Sequence, residues 1–352
     1  MELTIEQALQ QGVAAHKDGK IQDAERLYRT ILHSQPTHPD ANHNLGVLAV
    51  SVKKADMALP LFKTALEANP KIEQFWLSYI DALIKEKQNE VAKQVLEQAK
   101  KQGVAGKKLA QAHNNLGNTL KELGRLDEAE ASYTIAIALK SDFAEAHSNL
   151  GITLKELGRL DEAEASYTQA IALKPDYAVA FWNLHGIQKT IQGAEHWIDK
   201  CLIADTNHVK ARLTKAALRF YQGDSNSFDG LMQSEFKQHP YMRSFSWAFS
   251  LPNLPELHFD KWYFFDAIVK KSIVSKPFYE FGVWRASSFK YLIKVFKKGY
   301  GFDTFTGLPE DWDVGSHVEK KGTYTSDENV PNIKGGEFIV GKFEDTLPVF
   351  FS

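Results

Sequence analysis

Apolar and polar positions along the first two thirds of the chain repeat with a period of 34 residues. Residues 115–140 read NLGNTLKELGRLDEAEASYTIAIALK, and residues 149–174 read the same except at two positions. Within each segment, apolar residues recur at helical spacing on both sides of a glycine, which is Gly124 or Gly158. That spacing is typical of amphipathic helices, and the glycine is typical of a helix end. Each period therefore predicts two helices joined by a tight turn.

The same residue types recur in further copies of this pattern. A glycine in the first helix, then an alanine and an aromatic residue in the second, form the sets Gly12/Ala24/Tyr28, Gly46/Ala58/Phe62, Gly117/Ala129/Tyr133 and Gly151/Ala163/Tyr167. Residues 73–106 form a degenerate copy, and two looser units follow near 178–208 and 209–240. The pattern resembles the tetratricopeptide repeat (TPR) family, whose period is also 34 residues.

The resemblance implies an all-α TPR solenoid over residues 1–240, with about six to seven repeats that are clearest at 5–72 and 110–177. A single unit cannot bury its apolar face, so the units are expected to stack and to present an extended concave surface. We expect small residues such as glycine and alanine where two helices cross closely. The expected partner is a protein or peptide on the concave face.

The overall composition narrows the classes of partner. The chain has 352 residues and a formal net charge of −2 at pH 7, which gives no indication of nucleic-acid binding. No run of about 18 apolar residues is present, so we expect no membrane span. The single cysteine, Cys201, excludes an intrachain disulfide. These features predict a cytoplasmic protein that binds neither nucleic acid nor membrane.

The sixth position of the repeat, on the first helix, is rich in side-chain amides. Four asparagines occupy it and form our candidate peptide-binding set, namely Asn44, Asn115, Asn149 and Asn183. An amide can pair with a peptide backbone whatever the peptide sequence, because it carries both donors and an acceptor. The row resembles the asparagine ladder of nucleocytoplasmic O-GlcNAc transferases. Gln10 and Ser78 depart from it, and asparagines that merely face water are an equally good interpretation.

The pattern of residue types changes after residue 240. Residues 241–272 are rich in aromatic side chains and contain two prolines, which predicts a packed connector. Residues 273–352 then alternate between short apolar runs and a helix-like segment at 287–297. Strands that alternate with helices predict a parallel sheet, and ligands of such sheets bind beyond the carboxyl ends of the strands. Asp303 follows the glycine turn at Gly282 by 21 residues, close to the spacing of a ribose-binding acid.

Three strings in this region, YEFGVWRASS, YGFDTFTGLPEDW and GEFIVGKFEDTLP, resemble the macrocin O-methyltransferase family in order and spacing. The resemblance implies a Rossmann-like α/β domain, S-adenosylmethionine as cofactor and a sugar-containing substrate. It assigns cofactor contacts to Glu280, Gly282, Asp303, Thr304 and Asp345.

The match to this family is incomplete. Ala286 and Ser287 stand where the family usually has glycines. The acids that bind a divalent metal in such enzymes belong to a later strand, so no metal ligand or catalytic residue is assigned. We expect the methyltransferase domain to be partial and the protein sequence to be truncated after Ser352. Two hypotheses remain: a methyltransferase with a TPR scaffold, or a non-enzymatic TPR adaptor with an inactive C-terminal fragment. A TPR-linked glycosyltransferase is a weaker third.

Overall fold

The computed structural model describes residues 3–313, 318–326 and 328–352. These residues are mostly helical and divide into two compact units, Met1–Glu156 and Leu157–Ser352. The division falls inside the repeat array, and the domain boundaries expected at 240 and 272 stay a prediction. Among the described residues, no helix combines the length and the apolar character needed to cross a membrane.

The first unit consists of helices that pack against their neighbours in sequence. These are α1 (Ile5–Lys17), α2 (Ile21–Ser34), α3 (Pro39–Ser51), α4 (Ala55–Ala68), α5 (Glu73–Lys85), α6 (Asn89–Lys101), α7 (Gly106–Glu122), α8 (Leu126–Leu139) and α9 (Ala144–Glu156). A capping box starts α1, since the Thr4 hydroxyl accepts a hydrogen bond from the Gln7 amide at 3.2 Å and the Gln7 side chain accepts one from the Thr4 amide at 3.0 Å. The predicted pairs of helices are confirmed.

Close crossings of paired helices account for the glycines of the first unit. A Cβ atom built on Gly117 would lie 2.6 Å from Cε1 of Tyr133, whose side chain is fully buried. The equivalent distances are 2.7 Å between Gly12 and Tyr28 and 2.7 Å between Gly46 and Phe62. Real Cβ atoms do not approach a ring so closely. The predicted role of these glycines is therefore confirmed.

The turns inside the repeats share one backbone conformation. Gly19 and Gly124 have φ values of 74° and 70°, in the left-handed region that glycine enters without strain. Lys53 and Lys87 stand at the corresponding turns with φ values of 61° and 56°. Stacking of the helices therefore imposes the left-handed turn even where the sequence supplies no glycine.

The second unit begins with further helices of the array. They are α10 (Leu160–Leu173), α11 (Ala178–His185), α12 (Ile191–Ala204), α13 (Val209–Tyr221), α14 (Asn226–Met232), a 3₁₀ helix (Glu235–Gln238), α15 (Pro240–Phe249) and α16 (Lys261–Lys271). The aromatic segment predicted as a connector supplies α15 and α16. Trp262 of α16 packs on the turn at Gly158, where a Cβ would lie 3.2 Å from its ring. The same ring lies 4.8 Å from that of Tyr291 in the following β/α region.

That β/α region contains a small parallel sheet. Its elements are β1 (Phe278–Phe281), α17 (Ser287–Phe296), β2 (Gly299–Asp303), β3 (Trp312–Asp313), β4 (Val318–Glu319), β5 (Gly336–Val340) and α18 (Phe343–Phe350). The strand order is β1-β2-β5, with both pairs parallel, and β3 and β4 form a separate antiparallel pair. Phe278 and Phe338 from the sheet pack with Phe289 of α17. The predicted parallel strands are confirmed, whereas a Rossmann-like methyltransferase fold is not shown by these elements.

Candidate functional site

The predicted amide row occupies one position on the first helices of the array. In the first unit, Asn44, Asn115 and Asn149 lie half-buried on α3, α7 and α9. Ser78, at the same repeat position on α5, is also half-buried. The Oγ atom of Ser78 lies 3.0 Å from Nε2 of His43 in the preceding repeat. These side chains are thus neither enclosed in the core nor fully surrounded by solvent.

Contacts between consecutive repeats extend this row. Asn149 donates a hydrogen bond to Oδ1 of Asn114 at 3.0 Å, and Asn114 in turn donates to Glu145 at 3.2 Å. Asn115 accepts a hydrogen bond from Gln111 at 3.0 Å. Asn114 is fully buried, although the sequence analysis did not select it. The only indication in the sequence is the pair of adjacent asparagines before Leu116.

Asp81 adds a negative charge beside the row. Desolvation raises the pKa of its carboxyl group above the usual range, and Lys85 and the amide of Asn115 partly offset this effect. The side chain is nonetheless exposed to solvent. The repeat pattern does not single out Asp81, since it lies three positions after Ser78, the row residue of its repeat.

Asn183 differs from the other three predicted asparagines. It lies on α11 in the second unit, and its Nδ2 atom is buried with no hydrogen-bond partner among the described residues. A buried donor that lacks a partner costs about 1–3 kcal/mol. This amide therefore has an unmet capacity to donate a hydrogen bond.

A second candidate site lies at the carboxyl ends of β1 and β2. It is a cleft of about 860 Å³ whose lining residues are Gly282, Trp284, Asp303, Thr304, Gly307, Leu308, Pro309, Glu310, Tyr324, Lys342, Phe343 and Glu344. Three of the five predicted cofactor residues, Gly282, Asp303 and Thr304, thus come together here. The sequence pattern does not predict Trp284 and Lys342, because they lie on loops whose course the strands do not determine.

Asp303 organises the loop after β1. Its two carboxylate oxygens accept hydrogen bonds from the backbone amides of Trp284 and Phe305, each at 2.8 Å. Gly282 has a φ value of 83°, and its missing side chain leaves open space on the cleft side. Ala286, where glycine was expected, has a φ value of 59° and is fully buried. The loop therefore keeps a left-handed residue at this position without using glycine.

Glu280 lies on β1 and is not among the residues that line the cleft. Its Oε1 atom accepts a hydrogen bond from Ser288, while Oε2 is buried and has no partner among the described residues. Desolvation raises the pKa of this carboxyl group, and the negative charge of Asp303 raises it further, although the bond from Ser288 acts in the opposite direction. Asp345, the fifth predicted residue, is exposed on α18 and does not line the cleft.

A family model for the tetratricopeptide repeat matches residues 9–70 and 114–178. These segments are tetratricopeptide repeats. The TPR helices continue in pairs through α5 and α6, which lie between the two matched segments. The TPR assignment was therefore correct for the clearest copies, and such repeats form scaffolds for protein–protein interaction. A search of curated proteins gave no match, and nothing in these comparisons supports a methyltransferase domain.

Solved structures align with about half to three fifths of the chain. The crystal structure of YrrB, a TPR protein with an unusual peptide-binding site, is 21% identical, with a TM-score of 0.41 over 52% of this chain and 95% of YrrB. A crystal structure of MamA is 20% identical, with a TM-score of 0.44 over 49% of this chain and 93% of MamA. PilF of Pseudomonas aeruginosa is 16% identical, with a TM-score of 0.45 over 60% of this chain and 96% of PilF.

Proposed function

We propose that the chain is an adaptor whose TPR array holds an extended segment of a partner protein along the amide row. The observation that carries this proposal is the recurrence of half-buried polar side chains at one position of consecutive first helices, from Asn44 to Asn149. Half-buried amides are shielded from bulk water but still reachable, which favours hydrogen bonds to a bound chain.

The hydrogen bonds within the row leave capacity for a ligand. A side-chain amide has two N–H donors and an oxygen with two lone pairs. Asn149 uses one donor for Asn114, whereas Asn115 uses one lone pair for Gln111 and one donor for the carboxylate of Asp81. The remaining groups match the alternating N–H and C=O groups of an extended peptide. Because these partners are backbone groups, recognition at the row would depend little on the peptide sequence.

Substitution of two row residues tests the adaptor hypothesis. The double variant Asn115→Ala/Asn149→Ala is compared with the wild-type chain for affinity toward a peptide selected on the wild type from an unbiased library. Each lost hydrogen bond costs about 1 kcal/mol, so we expect affinity to fall on the order of 30-fold. Fluorescence anisotropy measures the affinity, and circular dichroism checks that the helices are retained.

The control for this experiment is Gln98→Ala. Gln98 is an exposed amide on α6, the second helix of its repeat, and is absent from the row. This variant should bind the selected peptide like the wild type. Equal affinity of the double variant and the wild type would show that the asparagines only face water.

A second candidate function is cofactor binding by the β/α region, and the cleft beside β1 and β2 favours it. Its volume of about 860 Å³ lies within the range of small-molecule sites. Asp303 retains lone pairs that can accept ribose hydroxyls, and the open space at Gly282 admits a close ligand. The residues present therefore fit S-adenosylmethionine.

When bound, S-adenosylmethionine would supply an electrophilic methyl group, and a sugar hydroxyl is the acceptor proposed from the family resemblance. Asp303 would hold the ribose and at the same time fix the loop through the amide of Trp284. Lys342 and Glu344 line the cleft beside the ligand position. No side chain is assigned as a general base, and a divalent metal is proposed only together with a further C-terminal segment.

Calorimetry with S-adenosylmethionine tests this candidate. The test substitution is Asp303→Asn, because it keeps one of the two side-chain oxygens that accept hydrogen bonds from the loop amides, whereas Asp303→Ala would remove both. We expect at least tenfold weaker binding, since a charged ribose acceptor is lost. Asp345→Asn is the control, since Asp345 lies outside the cleft, and it should bind like the wild type. Failure of the wild type to bind would leave only the adaptor function.

A further inference from the structure

On α13, cations occupy two positions of the repeat that carry leucine in several other copies, and a third position that is apolar in some copies and polar in others. A buried alanine at the third position of the repeat fixes the register, in Ala41, Ala112, Ala146, Ala180 and Ala211. At the seventh position, Leu45, Leu116 and Leu184 correspond to Lys215, and at the eleventh, Leu83, Leu120 and Leu154 correspond to Arg219. At the fourth position, Arg212 corresponds to Trp76 and Phe181 in two copies, whereas the other copies carry Asn42, His113 and His147. This side of α13, which is apolar at two positions in several other copies, is therefore basic.

These three cations line one cleft between α13 and α14. The cleft has a volume of about 510 Å³, and its other lining residues, Ala216, Ser227, Gly230 and Leu231, are uncharged. The neighbouring helix α14 is short, from Asn226 to Met232, and leaves this space beside α13. Gly230 contributes to the opening, because a Cβ at this position would meet no atom within 4 Å.

The charge of the cleft is only partly compensated. Nζ of Lys215 lies 2.6 Å from Oδ1 of Asp199, and Arg219 lies 3.9 Å from Asp224. The guanidinium of Arg212 lies 4.5 Å from the centre of the Phe236 ring and has no carboxylate partner among the described residues. Two carboxylates therefore face three cations, and the balance is positive.

We infer that this cleft binds a compact anion that carries two phosphate groups, such as a diphosphate ester. Arg212 and Arg219 are seven residues apart on one helix, which separates them by about 10 Å along the axis. Two phosphate groups with a hydrogen bond at each end span a similar length. Arginine forks bind phosphate oxygens in a bidentate manner, and Lys215 lies between the two arginines.

The shape of the cleft favours a compact ligand over an acidic peptide. An extended peptide needs a groove that continues past several elements, whereas only α13 and α14 line this cleft. A further apolar repeat is a poor occupant as well, because it would bury uncompensated cations at a cost of several kcal/mol each. The site is separate from the amide row and does not depend on the function proposed for it.

Calorimetric titration of the full chain with sodium pyrophosphate at low ionic strength tests the inference. We expect saturable binding that weakens as salt is added, since the contacts are between charges. The variant Arg212→Gln/Arg219→Gln should bind about tenfold more weakly or worse, because two charge-assisted contacts are lost. The control is Lys200→Gln, which removes an exposed cation of α12 that lies outside the cleft.

A third variant, Gly230→Glu, closes the cleft without touching its cations. The new side chain enters open space on a helix and places a negative charge opposite the arginines, so folding is retained while binding should be lost. Circular dichroism verifies the fold of each variant. Absence of pyrophosphate binding by the wild type, or an equal loss in Lys200→Gln, would overturn the inference. Unchanged binding by Gly230→Glu would place the anion elsewhere and would overturn it as well.

Discussion

Substitution of Gly117 by alanine provides a direct test of the helix crossing in the repeats. The added Cβ would lie 2.6 Å from Cε1 and 2.8 Å from Cζ of Tyr133. Since ordinary carbon contacts are about 3.5 Å or longer, the ring must move by nearly 1 Å. The ring is held by its buried position and by the hydrogen bond from its hydroxyl to Oδ1 of Asn118, at 2.7 Å.

The expected magnitude follows from three contributions. Overpacking in a close-packed core costs about 1–3 kcal/mol, and a disturbed hydrogen bond costs about 1 kcal/mol. Alanine favours the helix over glycine by about 1 kcal/mol and offsets part of this. We therefore expect Gly117→Ala to destabilise the first unit by about 2 kcal/mol. In urea, that corresponds to a midpoint lower by about 1 M, followed by far-UV circular dichroism.

Gly230→Ala is the matched control for this experiment. Gly230 is also a helical glycine, but a Cβ there meets nothing within 4 Å, so only the gain in helix propensity of about 1 kcal/mol applies. The clash can also be isolated by repeating Gly117→Ala in a Tyr133→Leu background, where the substitution should cost less. The explanation fails if Gly117→Ala matches or exceeds the wild type in stability.

Two further predictions concern titration and reactivity. Arg125 and Lys93 lower the pKa of Glu128 to about 2, so its ion pairs stabilise the folded state above the unfolded pKa of about 4.5 and lose this effect as the pH falls toward 2. Glu128→Gln should therefore weaken the dependence of the urea midpoint on pH between these two values. An unchanged profile would contradict the assignment. Burial raises the pKa of Cys201 to about 11, so a thiol reagent at pH 8 should modify it only as fast as the chain unfolds, whereas rapid labelling of the native protein would contradict its burial.

The helices and their close crossings could be predicted from the sequence, because the same residue types recur at the same spacing in several repeats. Gly117 and Tyr133 recur at the same spacing as Gly12 and Tyr28, so a single explanation covers several copies. The turn at Lys87 could not be predicted in this way, because no residue pattern indicates that a lysine adopts a left-handed backbone conformation. Its conformation results from packing of the helices on both sides.

The candidate sites could be predicted only in outline. The position of the asparagines can be predicted, but Asn114, the partner of Asn149, lies 35 residues away, and this contact depends on the stacking geometry. The glycine turn and Asp303 were found from their spacing, whereas the exposed position of Asp345 depends on how α18 begins. The basic cleft cannot be predicted from the repeat, because residues 209–240 match the repeat only loosely.

Hydrogen bonds and ion pairs in the first unit connect repeats that are neighbours along the chain. Examples are the contacts of His43 with Ser78, Asn149 with Asn114 and Lys108 with Glu73, each spanning 35 residues. Because residues 115–140 and 149–174 are nearly identical, gene-level loss or duplication of one 34-residue unit would recreate the same kinds of contact at the new junction. The array can therefore gain or lose whole 34-residue units while the contacts between neighbouring repeats are kept. An insertion of any other size would misalign the residues that form the contacts across it.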